Sequence, residues 1–121
     1  IPSNNSDPVT SLQLYNNTIV AAYGSGHIKL FNAQTGVIIC SIAAHVKWIT
    51  AIAMFGSKLA TVGEDCVLNV FSLPSGNSTE VTLLATNNVK NIVITGVQFF
   101  TEDTVALSAY DTKGVIMFSL K

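Results

Sequence analysis

The chain has 121 residues, of which 49% are hydrophobic and only 11% charged, with six basic against seven acidic side chains and a formal charge of −1. That length holds one domain, or part of a larger one. All six basic residues are lysines, so there is no arginine fork for phosphate and no basic patch, which argues against nucleic acid and acidic lipid as partners.

No apolar run approaches the ~18 residues of a membrane-spanning helix, so membrane insertion is not expected. The chain opens on Ile1-Pro2-Ser3-Asn4-Asn5, with no charged-then-apolar signal segment, and reads as a piece of something longer. Cys40 and Cys66 stand 26 residues apart. They form no Cys-x-x-Cys pair and are read as small buried hydrophobes of a reducing, cytoplasmic compartment. Asn4, Asn16 and Asn77 each begin an Asn-x-Ser/Thr triplet, about what composition alone yields, and they carry no argument for secretion.

Apolar runs rich in Val, Ile, Thr and Phe, each closed by Asn, Gly, Ser or Asp, predict strands. In chain order they cover about 9–15, 18–23, 27–32 and 37–43, then 49–55, 58–63, 66–72 and 79–85, then 92–100, 104–110 and 114–120. No window sustains the i, i+3, i+4, i+7 spacing of a helix. The count is four strands, four strands and three.

The runs repeat. Val9-Thr10-Ser11-Leu12-Gln13-Leu14-Tyr15, Ile49-Thr50-Ala51-Ile52-Ala53-Met54-Phe55 and Ile94-Thr95-Gly96-Val97-Gln98-Phe99-Phe100 share one pattern: β-branched, Thr, small, aliphatic, Gln or Ala, apolar, aromatic. Their starts lie 40 and 45 residues apart, and each leads to a phenylalanine (Phe31, Phe71, Phe118) after 22, 22 and 24 residues. Most strands are apolar on both parities and must be covered on both faces. Four-stranded sheets stacked face to face about an axis meet that demand, and a period of about 40–45 residues is that of a propeller blade. The small third residue of each heptapeptide (Ser11, Ala51, Gly96) suits an innermost strand, where neighbouring blades crowd.

These features resemble the WD-repeat β-propeller family. Ala44-His45-Val46-Lys47-Trp48-Ile49-Thr50 is similar to the family's Gly-His-x-x-Trp-Val-Thr segment, and Leu59-Ala60-Thr61-Val62-Gly63-Glu64-Asp65 with Leu68-Asn69-Val70-Phe71 to its second and third strands. The resemblance assigns His45, Thr61 and Asp65 to a structural hydrogen-bonded chain. Phe71 stands where the family has Trp, so the indole N–H of that chain is missing, and Ser72 replaces the trailing Asp. Phe31-Asn32 and Phe118-Ser119 depart in the same way. Ser25 and Thr112 fall near the turn Asp, and Lys90 near the His position. The implied fold is all-β: a partial propeller of about three antiparallel blades (residues 1–45, 46–89 and 90–121), the last lacking its outer strand. Such a chain is not expected to close its own ring. Its end blades would meet either the remaining blades of the propeller or further copies of the chain.

His45, Thr61 and Asp65 invite comparison with a catalytic relay, but no nucleophile stands in a recognisable elbow, and a structural role is expected. His27 has no metal-ligand spacing around it, and Gly24-Ser25-Gly26 reads as a tight turn. No metal, cofactor or catalytic residue is expected. In the propeller reading, Tyr23, Lys47, Trp48, Glu64, Tyr110 and Asp111 gather on one face, with Tyr23 and Tyr110 equivalent because each precedes its phenylalanine by eight residues. Aromatic side chains beside a few charges are the stuff of protein-binding hot spots. The sequence therefore points to a non-enzymatic scaffold that binds proteins or peptides. A purely architectural segment is the alternative, and a propeller enzyme a remote third.

Overall fold

The computed structural model describes residues 7–74, 80–89, 92–110 and 114–120. Residues 75–79, Lys90, Asp111 and Thr112 lie outside them. The described residues form eleven strands and no helix: β1 (Val9–Tyr15), β2 (Thr18–Tyr23), β3 (His27–Asn32), β4 (Ile38–Ala43), β5 (Ile49–Phe55), β6 (Lys58–Gly63), β7 (Val67–Ser72), β8 (Thr82–Asn88), β9 (Ile94–Thr101), β10 (Thr104–Ala109) and β11 (Ile116–Ser119). They make three antiparallel meanders, β1–β4, β5–β8 and β9–β11, so the last sheet has three strands. Ten of the eleven fall within about two residues of their sequence-predicted bounds. The exception is β8, expected at 79–85, which begins at Thr82 and runs on through Asn87 and Asn88 to pair with Leu68 and Val67.

Two-residue turns join the first pair of strands in each of the first two sheets. Asn16 (φ 52°) and Gly56 (φ 57°) adopt the left-handed conformation that the right-handed twist of a tight hairpin favours. In all three sheets the inner strand then bulges at the second residue of the heptapeptide. The register slips between Val9 and Ser11, between Ile49 and Ala51, and opposite Ser108 and Ala109. The extra residues are thus Thr10, Thr50 and Thr95, and their hydroxyls engage the neighbouring strand. Thr10 Oγ1 donates to the Ala22 carbonyl (3.3 Å), Thr50 Oγ1 contacts the Val62 carbonyl (3.2 Å), and Thr95 Oγ1 meets Ser108 Oγ (3.1 Å). Thr50 also reaches the Ile94 carbonyl at the start of β9, tying the second sheet to the third.

Two further irregularities explain why the third repeat takes 24 residues instead of 22. A second bulge in β9, where Thr104 pairs Thr101 but Val105 pairs Phe99, expels Phe100 to 72% exposure. The other additional residue falls in the sequence between β10 and β11.

β5 lies against both β1 and β9. Val20, Ala22, Ile28 and Leu30 of the first sheet pack on Ile52, Leu59 and Phe71 of the second. The opposite side of the second sheet (Ala60, Val62, Leu68, Val70) packs on Val97, Phe99, Val105 and Leu107 of the third. Each large side chain so buried contributes roughly 1.5–3 kcal/mol of transfer free energy.

Candidate functional site

Each sheet meets the loop that leads into its first strand at the same backbone hydrogen bond. The amides of Gly24, Glu64 and Tyr110 donate to the carbonyls of Pro8, Trp48 and Val93 at 2.9, 2.9 and 2.8 Å. These bonds define which residues are equivalent. Tyr110 therefore matches Gly24 and Glu64, not Tyr23, because the longer turn before Phe118 shifts the count by one. A one-residue slip in a strand reverses the face of its side chain. Tyr110 is 73% exposed, whereas Tyr23 is 1% exposed and lies with Ala21 and Phe31 on the flank of the first sheet. Tyr23 thus does not belong to the surface on which the sequence placed it.

The second sheet carries the most developed junction. His45 comes from the lead-in loop, Thr61 from β6 and Asp65 from the β6–β7 turn. His45 Nδ1 lies 2.9 and 3.0 Å from the two Asp65 carboxylate oxygens, and Nε2 lies 2.8 Å from Thr61 Oγ1. A ring with its proton on Nδ1 donates to Asp65 and accepts from the Thr61 hydroxyl, which satisfies every atom. Asp65 also accepts from the amides of Val46 and Val67, both at 3.2 Å. His45 is 6% and Thr61 0% exposed. Gly63 leaves room for this packing, since a Cβ there would lie 2.9 Å from the Trp48 carbonyl oxygen and 3.1 Å from His45 Nδ1. Asn69 adds a bond the sequence did not reveal: its side-chain amide donates to the Ala44 carbonyl at 2.8 Å.

The first sheet solves the same problem with reversed polarity. Here the lead-in loop supplies the acid. Asp7 accepts from the Ser25 amide and hydroxyl, both at 2.8 Å, and Ser25 Oγ lies 3.0 Å from His27 Nδ1. Gly26 (φ 92°) is the crossing point of the next loop: its carbonyl accepts from the Ala44 and His45 amides, and a Cβ would overlap the His45 backbone. In the second sheet Cys66 takes that place, with φ 65° and its carbonyl accepting from Val89.

Trp48 lies over the neighbouring sheet's turn. Two of its ring carbons would stand 2.9 Å from a Cβ on Gly24, yet the residue keeps 42% of its surface exposed. Lys47 and Glu64 are exposed beside it. Val46 is 86% exposed on the same loop, and Tyr110 of the third sheet is 73% exposed, while Asp111 lies outside the described residues. Next to the junction, a groove of about 570 Å³ opens between the first two sheets, lined by Ala44, Val46, Asp65, Asn69 and Leu83 among others. Burial, and secondarily the Asp7 charge, pushes the Tyr23 phenol above its ordinary value, and burial does the same to the Cys40 thiol. Among the described residues no three His, Cys, Asp or Glu side chains converge as a metal site would require.

Comparison with known proteins agrees with this architecture. The β-propeller domain of Cps50 (Swd1) from Myceliophteria thermophila superposes with a TM-score of 0.85 over 94% of this chain and 40% of its own, at 19% identity. The computationally designed Ika4 protein superposes with a TM-score of 0.77 over 92% of this chain and 65% of its own, at 25% identity. WD repeat-containing protein 54 of Mus musculus is 27% identical over 118 residues, and that of Homo sapiens 29% over 119 residues. The alignments take in 92% and 93% of this chain, which spans only 35% and 36% of those relatives. The family model described as WDR54 matches residues 1–120. The fold is that of a WD-repeat propeller, and the chain belongs to the WDR54 family.

Proposed function

We propose that this chain is a non-enzymatic interaction scaffold that binds a protein or peptide on the surface formed by Lys47, Trp48, Glu64 and Tyr110. WD-repeat propellers serve in general as protein-interaction scaffolds, which supports the class. The observation that carries the assignment is the state of Trp48. Its ring rests on Gly24, so its conformation is restricted before any partner arrives, while 42% of its surface remains exposed. A large aromatic side chain that is already oriented gives up little conformational entropy on binding. Val46, at 86% exposure, adds apolar area on the same loop.

Tyr23 drops out of this surface because it is buried. His45, Thr61 and Asp65 serve it indirectly, by fixing the loop that carries Trp48. The two free thiols, Cys40 and Cys66, suit action in the reducing cytoplasm.

The architectural alternative has its own support, since the Trp48–Gly24 contact also joins the first two sheets. A random peptide library displayed on phage separates the two. Selected peptides should bind the parent chain and lose affinity for Trp48→Ala and Tyr110→Ala at unchanged melting temperature. Peptides that bind all three chains equally would overturn this surface, and a library that yields no binder would leave only the architectural role.

A further inference from the structure

The second sheet has the first sheet on one side and the third on the other. Its outermost strand, β8, pairs with β7 and with no further strand among the described residues. The Val89 amide donates to the Cys66 carbonyl at 2.7 Å. Bonded pairs alternate along an antiparallel ladder, so in this register Val89, Asn87 and Ala85 turn their amides and carbonyls toward β7. Thr86 and Asn88 turn theirs outward. The bulge in β8 falls at Leu84 and leaves that stretch regular, and the strand has no lysine or proline to blunt its edge.

The side chains follow the same alternation. Ala85 and Val89 pack toward the third sheet. Thr86 and Asn88 line the groove of about 570 Å³ that opens toward the first sheet, and the bulge brings Leu83 onto that side with them. Val46, from the loop between β4 and β5, lines it as well, and Leu83 and Val46 are 52% and 86% exposed. Asn88 pairs with Val67, two residues from Asp65. That end of the groove therefore holds the Asp65 carboxylate, and no lysine is among the described lining residues. Directly opposed residues of two paired strands share a face. A strand laid along this edge would send the side chains opposite Thr86 and Asn88 toward the groove.

We infer that the outer edge of β8 and this groove take up an extended segment of another protein, added antiparallel as a fifth strand of the second sheet. Opposite Asn88 the segment carries a basic side chain, and along Thr86 and Leu83 it carries aliphatic ones. The outward amides and carbonyls of Thr86 and Asn88 demand an extended backbone. The acidic end of the groove selects the base, and Val46 and Leu83 select the aliphatic groups. In such additions the main-chain bonds supply affinity and the side-chain pockets supply specificity. Blades that complete a propeller adjoin its end sheets, whereas both sides of this groove belong to sheets that already neighbour one another. The inference rests on the propeller fold and is independent of the Trp48 surface.

Fluorescence anisotropy on the full 121-residue chain tests it. The probe is a fluorescein-labelled peptide, Thr-Lys-Thr-Val-Thr-Leu-Thr, blocked at both ends. It should bind saturably with a Kd below about 100 μM. N-methylation of its valine amide removes the donor to the Thr86 carbonyl and keeps every side chain, and should weaken binding about tenfold or more. Replacing its lysine by glutamate should also weaken binding. On the protein, Leu83→Lys sets a cation at the aliphatic end, and Thr86→Pro removes an outward amide at a position where edge strands accept proline. Both should bind the probe more weakly than the parent, with circular dichroism confirming that each keeps its sheet. No saturable binding, equal affinity for the N-methylated or glutamate peptide, or full affinity in Leu83→Lys would each overturn the inference. Should Thr86→Pro lose its sheet structure, the N-methylated peptide probes the same residue pair without altering the chain.

Discussion

Gly24 and Trp48 face one another across the first two sheets so closely that a single added carbon would collide with the indole. A Cβ on Gly24 would stand 2.9 Å from two carbons of the ring. Gly24→Ala should therefore displace Trp48 outward and cost about 1 kcal/mol, the lower end of overpacking penalties. Trp48 is the only tryptophan in the chain, so its fluorescence reports the movement directly. A red-shifted emission with a slightly lower melting temperature is expected. Unchanged emission would mean that the ring is not seated on the glycine.

Among the described residues the buried Tyr23 hydroxyl has no hydrogen-bond partner. Removing an unsatisfied buried hydroxyl leaves the ring packing intact and relieves its desolvation, so Tyr23→Phe should stabilise the protein by about 1 kcal/mol. Burial first, and the Asp7 charge second, raise this phenol above its ordinary value of 10.0. The folded chain therefore holds the proton more tightly than the unfolded chain does. That contribution is complete below the ordinary value and is lost as pH rises from there through the folded value. Thermal melts across this range should show an alkaline loss of stability that is smaller in Tyr23→Phe. A variant less stable than the parent at neutral pH would show that the hydroxyl has an acceptor.

Asp65 serves three donors: the His45 ring and the Val46 and Val67 amides. Asp65→Ala leaves all of them without that acceptor, and the expected loss is about 2–4 kcal/mol, as for other broken buried polar pairs. Thr61→Val removes one hydroxyl and should cost less, about 1 kcal/mol. Chemical denaturation of both variants checks the order. An Asp65→Ala chain as stable as the parent would mean that this junction does not hold the second sheet together.

Cys66 occupies a left-handed backbone position at φ 65° where the first sheet has Gly26 at φ 92°. A side chain there costs roughly 1 kcal/mol that glycine does not. Its thiol makes only a weak 3.9 Å contact with the Glu64 carbonyl. Cys66→Gly should raise the melting temperature, less than the full strain because glycine also gains freedom in the unfolded chain. A lower melting temperature would assign the thiol a packing role.

The strand order, the three sheets and the incomplete third sheet were legible because the heptapeptide repeat and the two-sided apolar runs are properties of single strands and their spacing. The pairing of His45, Thr61 and Asp65 came from the resemblance, since residues 16 and 20 apart in sequence carry no local signal that they meet. The bulges were not legible. Thr10, Thr50 and Thr95 read as ordinary strand residues, and only the register shows that each is unpaired and turns its hydroxyl onto the next strand. The longer spacing of the third repeat was visible, but not where its two extra residues fall, and that position makes Tyr110 the equivalent of Gly24 rather than of Tyr23. The end of β8 was missed for a different reason: Asn87 and Asn88 have the composition of a turn but lie on an outer strand, where pairing on one side alone tolerates polar residues. Ser25 was read near the turn Asp, but its pairing with Asp7 escaped notice because the first sheet takes its carboxylate from the lead-in loop, opposite to the pattern of the second.

Affinity for a phage-selected peptide, measured by isothermal titration on the parent and on Trp48→Ala, tests the proposed interaction surface most directly. The account predicts at least a tenfold weaker binding for the variant, equivalent to about 1.4 kcal/mol, at an unchanged melting temperature. Equal affinity for the two chains, or a loss of binding only in step with a loss of stability, would contradict it.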